Sequence, residues 1–228
     1  AGFYAVSALL IWLIVLPPRK PSGTFSFWPA LREGLGWMWH NRMILRLALM
    51  LGVINAVFIG GMTILVLYAQ EVLQLSAAAY GVLLTCGAAG GVLGGLASPW
   101  LARRLGARKS LVLALCTFAL FNLALGLSSS VPLVALGLFF EAAAGMLWNV
   151  VTVSYRQRLI PDGLLGRVNS VYRFFGWGAM SFGALAAGLL VTLAEPTLGR
   201  IAALHLPYLI GASVCAVLAI YGFFRLRF

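Results

Sequence analysis

Apolar residues run along this chain in long unbroken stretches. They neither alternate along the chain nor recur on a single helical stripe. A first stretch covers residues 3–16. Six more follow at about 43–68, 80–101, 111–127, 131–155, 171–193 and 206–224. Each of the six is close to the ~20 residues that carry a helix across a bilayer. In lipid the backbone must satisfy its own polar groups, which leaves helices or a closed barrel. Continuous apolar runs exclude the alternation of barrel strands. The pattern therefore predicts an all-α, polytopic membrane helix bundle: residues 1–16 as the end of a truncated transmembrane helix, 17–42 as a central loop, and 43–228 as a six-helix bundle. The first run has no basic leader and no cleavage site, and it stops at Pro17-Pro18. It reads as the tail of a span whose front lies outside the chain, and not as a signal peptide.

The segments between the runs carry turn chemistry: Gln70-Glu71, Arg103 to Lys109, Ser128 to Ser130 before Pro132, Pro161-Asp162-Gly163, and Glu195-Pro196. Within the central loop, Pro29 to Arg42 has a helical period with Leu31, Leu35 and Met38 on one face. Trp28, Trp37 and Trp39 cluster there. Tryptophan favours the headgroup layer, so an amphipathic helix on the membrane surface is expected, with an ordinary solvated loop as the alternative.

Composition agrees with a membrane protein. Apolar types make up 62% of the 228 residues and charged types only 9%, with a mean hydropathy of +1.01. So few charges cannot cover a water-facing surface, which excludes a soluble enzyme. The net charge of +11 would suit a nucleic-acid binder, but its distribution does not. Of the 16 Lys and Arg residues, 15 fall in or beside alternate connectors and the C-terminus, and only Arg200 falls on the other side. The positive-inside rule makes the 15-bearing side, with the C-terminus, cytoplasmic. No basic soluble domain remains to bind nucleic acid. Cys86, Cys116 and Cys215 are widely spaced in apolar runs and read as packing residues. His40 and His205 are too few and too far apart for a metal site, and no metal or cofactor is expected.

A few intramembrane residues carry candidate chemistry. Gly87, Gly91 and Gly95 stand four apart, with Gly90, Gly94 and Ser98 on the adjoining stripe. Such a small-residue face admits a neighbouring helix closely, either as static packing or as a surface on which helices slide. Glu141 lies ten residues into its run, about 15 Å deep and near the bilayer midplane. A charge there is expensive, so it must face a cavity or partner, or be neutral. Gly145, Trp148 and Thr152 follow it at helical spacing, and this stripe could line a path for substrate and protons. The alternative is a neutral Glu bonded to a neighbouring helix. Asn55, Asn122 and Asn149 read as polar glue between helices. Asn55 and Asn149 are also candidates for the path.

The run from Pro99 through Arg103, Arg104, Gly106 and Arg108 to Lys109 resembles the loop signature of the major facilitator superfamily, G-x-x-x-D-R-x-G-R-[RK]. Arg104, Gly106, Arg108 and Lys109 match it, while Arg103 replaces its Asp and Pro99 its first Gly. A second string runs from Tyr155-Arg156-Gln157-Arg158 through Asp162 to Arg167 and Arg173. It resembles the corresponding loop of the enterobactin-exporter and macrolide-efflux branch, and Leu31-Arg32-Glu33-Gly34-Leu35, with Trp37, Trp39 and Arg42, resembles that branch's central loop. The resemblance implies the C-terminal half of a twelve-helix transporter in a bacterial inner membrane. Its substrate cavity would lie between two six-helix halves. The basic connectors, with Arg103, Arg104, Gly106, Arg108, Lys109, Arg156, Arg158, Asp162 and Arg167, would act as cytoplasmic gates. Its expected partners are a small-molecule substrate, protons, the lipid bilayer and an N-terminal six-helix half. The function implied is proton-coupled efflux of small amphipathic compounds such as drugs or siderophores. A non-transporting membrane scaffold or receptor is the alternative. A membrane-embedded enzyme would need clustered acids or histidines, and the five acidic residues form no obvious pair.

Overall fold

A computed structural model describes residues 2–14 and 26–226. Ala1, Leu16, Pro17, Pro18, Arg19 and Lys20, which enter the readings of the first span and central loop, lie outside the described residues, as does Arg227. Among the described residues the chain is all helix: α1 (Gly2–Trp12), α2 (Phe27–His40), α3 (Arg42–Leu67), α4 (Ala77–Leu127), α5 (Val131–Leu159), α6 (Asp162–Leu198) and α7 (Arg200–Arg225). A π-helical turn, Tyr68–Val72, follows α3. Five elements are long and apolar enough to cross a membrane: α3 with its π turn, α4, α5, α6 and α7.

α4 has 51 residues, so a straight helix of that length would rise about 77 Å, more than twice a hydrocarbon core of ~30 Å. It does not run straight. Gly106 sits at φ 76° and ψ 167°, a conformation that strains any residue with a Cβ, and it breaks α4 into limbs 77–105 and 107–127. The loop expected at 103–109 is thus a one-residue break. Arg and Lys form helix readily, so only the glycine interrupts it. The same device separates α6 from α7, where Gly199 has φ 80°. Glu195 and Pro196, expected in a connector, instead belong to the end of α6, and Gln70 and Glu71 belong to the π turn.

Helices pack where small residues let backbones meet. α5 lies on the first limb of α4. A Cβ on Gly90 would come within 2.7 Å of Phe139 Cα and overlap that residue's carbonyl, and a Cβ on Gly94 would overlap Ala143. Ser98 completes the stripe, buried, with its hydroxyl bonded to Gly94 O. The packing stripe is therefore Gly90, Gly94 and Ser98, not the expected Gly87, Gly91 and Gly95. A Cβ on Gly91 would meet nothing, one on Gly87 would make ordinary contacts with Leu138, and one on Gly95 would touch only the tip of Met146. α3 and α6 close in the same way through Gly52 against Phe175 O and Gly60 against Gly183 O, each with a Cβ gap of 2.9 Å.

Side chains gather the basic segments at one end of the bundle. Arg46 bonds Arg225 O at 3.2 Å, Arg108 bonds Phe223 O and lies over its ring, and Arg167 pairs with Glu33. α2 docks here on the start of α6, with Gly34 against the Arg167 backbone and Met38 buried at 1% exposure. Of the three residues expected on one face, Met38 is buried and Leu31 half-buried against the core, while Leu35 is exposed. At the opposite end Tyr68, His205 and Tyr208 stack edge to face, and Tyr68 and His205 both bond Leu125 O.

Candidate functional site

The 3.6-residue period of α5 puts Glu141, Gly145, Trp148, Thr152 and Arg156 on one side of the helix. Four of these side chains are buried: Glu141 at 6% exposure, Trp148 at 2%, Thr152 at 2% and Arg156 at 9%. In front of the upper part of this stripe lies a cavity of about 270 Å³. Glu141, Gly145, Trp148 and Asn149 line it from α5, Asn55 and Phe58 from α3, Asn122 from the second limb of α4, and Cys215 from α7. Exposed Phe58, Met146 and Asn149 are among its lining residues, so it opens on that flank of the bundle. The four residues named for the path, Asn55, Glu141, Trp148 and Asn149, thus meet around one void.

Glu141 also borders two smaller spaces, one beside Tyr208 and Leu125 and one beside Leu84 and Gly87. Its carboxyl makes no ion pair with any described residue, whereas three of the other four acids do. Glu33 pairs with Arg167, and Glu71 and Glu195 both pair with Arg200, at 2.8 and 3.0 Å. Asp162 is the first residue of α6, where the helix dipole favours an acid.

Two of the three amides lining the cavity have donors already engaged. Asn55 Nδ2 donates to Gly176 O and Asn122 Nδ2 to Phe118 O, both at 2.9 Å. The first bond links α3 to α6, so Asn55 does serve as glue between helices. The second stays within one helix, and exposed Asn149 makes no such bond through its side chain. Trp148 Nε1 has no hydrogen-bond partner among the described residues.

Below the cavity the stripe continues to the basic end. Thr152 bonds Trp148 O at 2.8 Å. Arg156 bonds Thr152 O and Asn169 Oδ1, and its guanidinium lies 3.8 Å from the Tyr172 ring centre. Arg156 was expected in a surface gate, but it is an interior link between α5 and α6. Its partners Asn169 and Tyr172 lie 13 and 16 residues further on, and only tertiary packing brings them close. Arg103, Arg104, Gly106, Arg108, Lys109, Arg158 and Asp162 are exposed around the same end, and Arg167 is half-buried in its pair with Glu33. Arg103 and Arg158 line a second space there, of about 440 Å³.

The Arg200–Glu71–Glu195 cluster was not anticipated from the sequence. Its signal was available: Arg200 is the lone Lys or Arg on its side, and the sequence reading put both acids in connectors on that side.

A bundle of long apolar helices around a largely apolar cavity with a few polar groups is the build of a polytopic membrane protein. The family model of the Major Facilitator Superfamily matches residues 49–227, most of the chain, and the protein belongs to that superfamily. No curated protein matches the sequence.

Proposed function

We propose that the chain is the C-terminal six-helix half of a secondary transporter that exports small amphipathic compounds, such as drugs or siderophores, in exchange for protons. Glu141 is its coupling site. The observation that carries this reading is the setting of Glu141: a buried, unpaired carboxyl near the middle of an apolar helix, at the junction of three spaces. A structural acid at that depth would be expected to have a partner. Six crossings follow when the two limbs of α4 are counted separately, as the break at Gly106 allows.

In this reading the cavity faces an N-terminal six-helix half, and the two halves rock about the substrate. The charge distribution supports placing the basic end and the C-terminus in the cytoplasm, and the likeness to efflux loops supports a bacterial inner membrane. Arg103, Arg104, Arg108, Lys109, Arg158 and Arg167 close that end when the cavity faces outward. Transport of this kind breaks no covalent bond in the substrate and uses no cofactor, so the chain is not an enzyme. No nucleic acid takes part.

The test is pH-gradient-driven transport by Glu141→Gln and Glu141→Leu in the full-length protein, normalised to folded protein. Gln keeps shape and hydrogen bonding but cannot titrate. The coupling role predicts that Glu141→Gln inserts and binds substrate but loses gradient-driven accumulation. Normal accumulation by Glu141→Gln, with reduced folded yield for Glu141→Leu, would leave Glu141 a packing residue.

A further inference from the structure

The polar side chains around the cavity differ in what they leave free. Asn55 and Asn122 spend their donors on backbone carbonyls. Trp148 is 2% exposed, and its Nε1 is enclosed by the protein. Asn149 is different: it lines the cavity, it is exposed, and its side chain bonds no described residue. Its carboxamide therefore keeps both its donor and its acceptor for what enters. Its place on α5 adds a second observation. Glu141, Gly145 and Asn149 follow at four-residue steps and so lie along one ridge of the helix. A Cβ on Gly145 would meet nothing within 4 Å, so the ridge is open between the acid and the amide. Eight residues separate these two groups, about 12 Å along the axis.

We propose that Asn149 is the specificity-determining residue of the cavity, and that it selects amphipathic cations carrying a carboxamide-type group at the end remote from the charge. A carboxamide presents a carbonyl acceptor and an N–H donor side by side in one plane. Its full complement is a group that presents a donor and an acceptor in the same way, as a primary carboxamide, a lactam or a urea does. Glu141 takes the cationic centre, the apolar spacer lies over Gly145, and Asn149 pairs with the ligand amide through two hydrogen bonds. This rests on the cavity being the substrate site with Glu141 as its anion. It adds a requirement that the Glu141 reading alone does not make: a cation with the amide is preferred to its match without the N–H donors.

The experiment uses two probes that differ only in an amide NH2 replaced by a methyl group, 9-(trimethylammonio)nonanamide and 10-(trimethylammonio)decan-2-one. Each holds its charge and its carbonyl about 11 Å apart when extended. Their affinities for the purified full-length protein are measured by equilibrium dialysis. The ketone accepts from Asn149 but cannot donate to it, so the pair reads one hydrogen bond. The amide-over-ketone ratio should be about fivefold higher in the wild type than in Asn149→Leu, the effect of one net hydrogen bond. Comparing the two proteins cancels the difference in hydration between the probes. Asn149→Ala removes the same group without adding apolar bulk, and it decides the matter where Asn149→Leu does not fold. Asn149→Gln keeps the carboxamide and should keep about half of the preference or more. A ratio unchanged in Asn149→Leu or Asn149→Ala, or one lost as fully in Asn149→Gln, would overturn the role of Asn149 and leave the cavity reading intact. Gly145→Leu fills the ridge between the two groups and should weaken both probes about tenfold or more. Wild-type affinity of Gly145→Leu for both probes, or failure of the wild type to bind either, would overturn the cavity reading and this proposal with it.

Discussion

Two faces of α5 differ sharply. On one, Phe139 and Ala143 press against Gly90 and Gly94 of α4 so closely that neither glycine has room for a methyl group. On the other, Glu141, Gly145, Trp148 and Asn149 border about 270 Å³ of unfilled space. Both faces contain small residues, but they do opposite work. On α4 the glycines admit a neighbour's backbone, while on α5 Gly145 keeps a space clear. A helix sealed to van der Waals contact on one side is a rigid support for the other, so the void is not general looseness. The acid, the indole and the amide are held on the side that stays open.

The largest effect is expected at the sealed face. Gly94→Ala must push α5 away from α4, and overpacking of this kind costs about 1–3 kcal/mol, more than the ~1 kcal/mol that alanine gains over glycine in helix propensity. The thermal midpoint and folded yield should fall. Gly91→Ala, three residues earlier on the same helix, has open space and should lose nothing. Equal losses for the two would erase the distinction between the stripes.

The open face predicts a different outcome. Gly145→Leu places a side chain into the cavity with no neighbour to displace, so stability should stay within about 0.5 kcal/mol. Transport of large substrates should fall by about tenfold or more, the scale on which a pocket discriminates by size. A variant that unfolds, or one that transports large substrates normally, would contradict the assignment of this face.

A smaller effect is expected at Arg200. Its pairs with Glu71 and Glu195 tie the π turn to the α6–α7 junction, but all three side chains are about a third or more exposed. Solvent screens such pairs, so Arg200→Ala should cost about 1 kcal/mol or less and leave substrate binding intact. A large loss of binding would mean that the far end of the bundle and the cavity are not separable.

Much of this contrast was legible in the sequence. Hydropathy placed the helices, and the helical period brought Glu141, Gly145, Trp148 and Thr152 to one side of α5. The phase of the glycine stripe was not legible, because Gly87, Gly91 and Gly95 share the spacing of Gly90, Gly94 and Ser98. In a helix apolar all round, only the neighbour decides which stripe is buried. The break at 103–109 was legible, but not that it narrows to Gly106 alone. Its flanking arginines are compatible with helix, and a left-handed backbone angle leaves no mark beyond the glycine itself. Arg156 was misplaced because Asn169 and Tyr172 reach it only through the packing of α6 on α5.

The central claim is that a cationic substrate and a proton compete for Glu141. It is tested most directly by adding a cationic substrate to the purified full-length protein in weakly buffered solution and following proton release. The account predicts release from the wild type that rises to saturation with substrate, and none from Glu141→Gln at substrate concentrations that still fill the cavity. Equal release from the wild type and from Glu141→Gln would place the coupling group elsewhere and contradict the account.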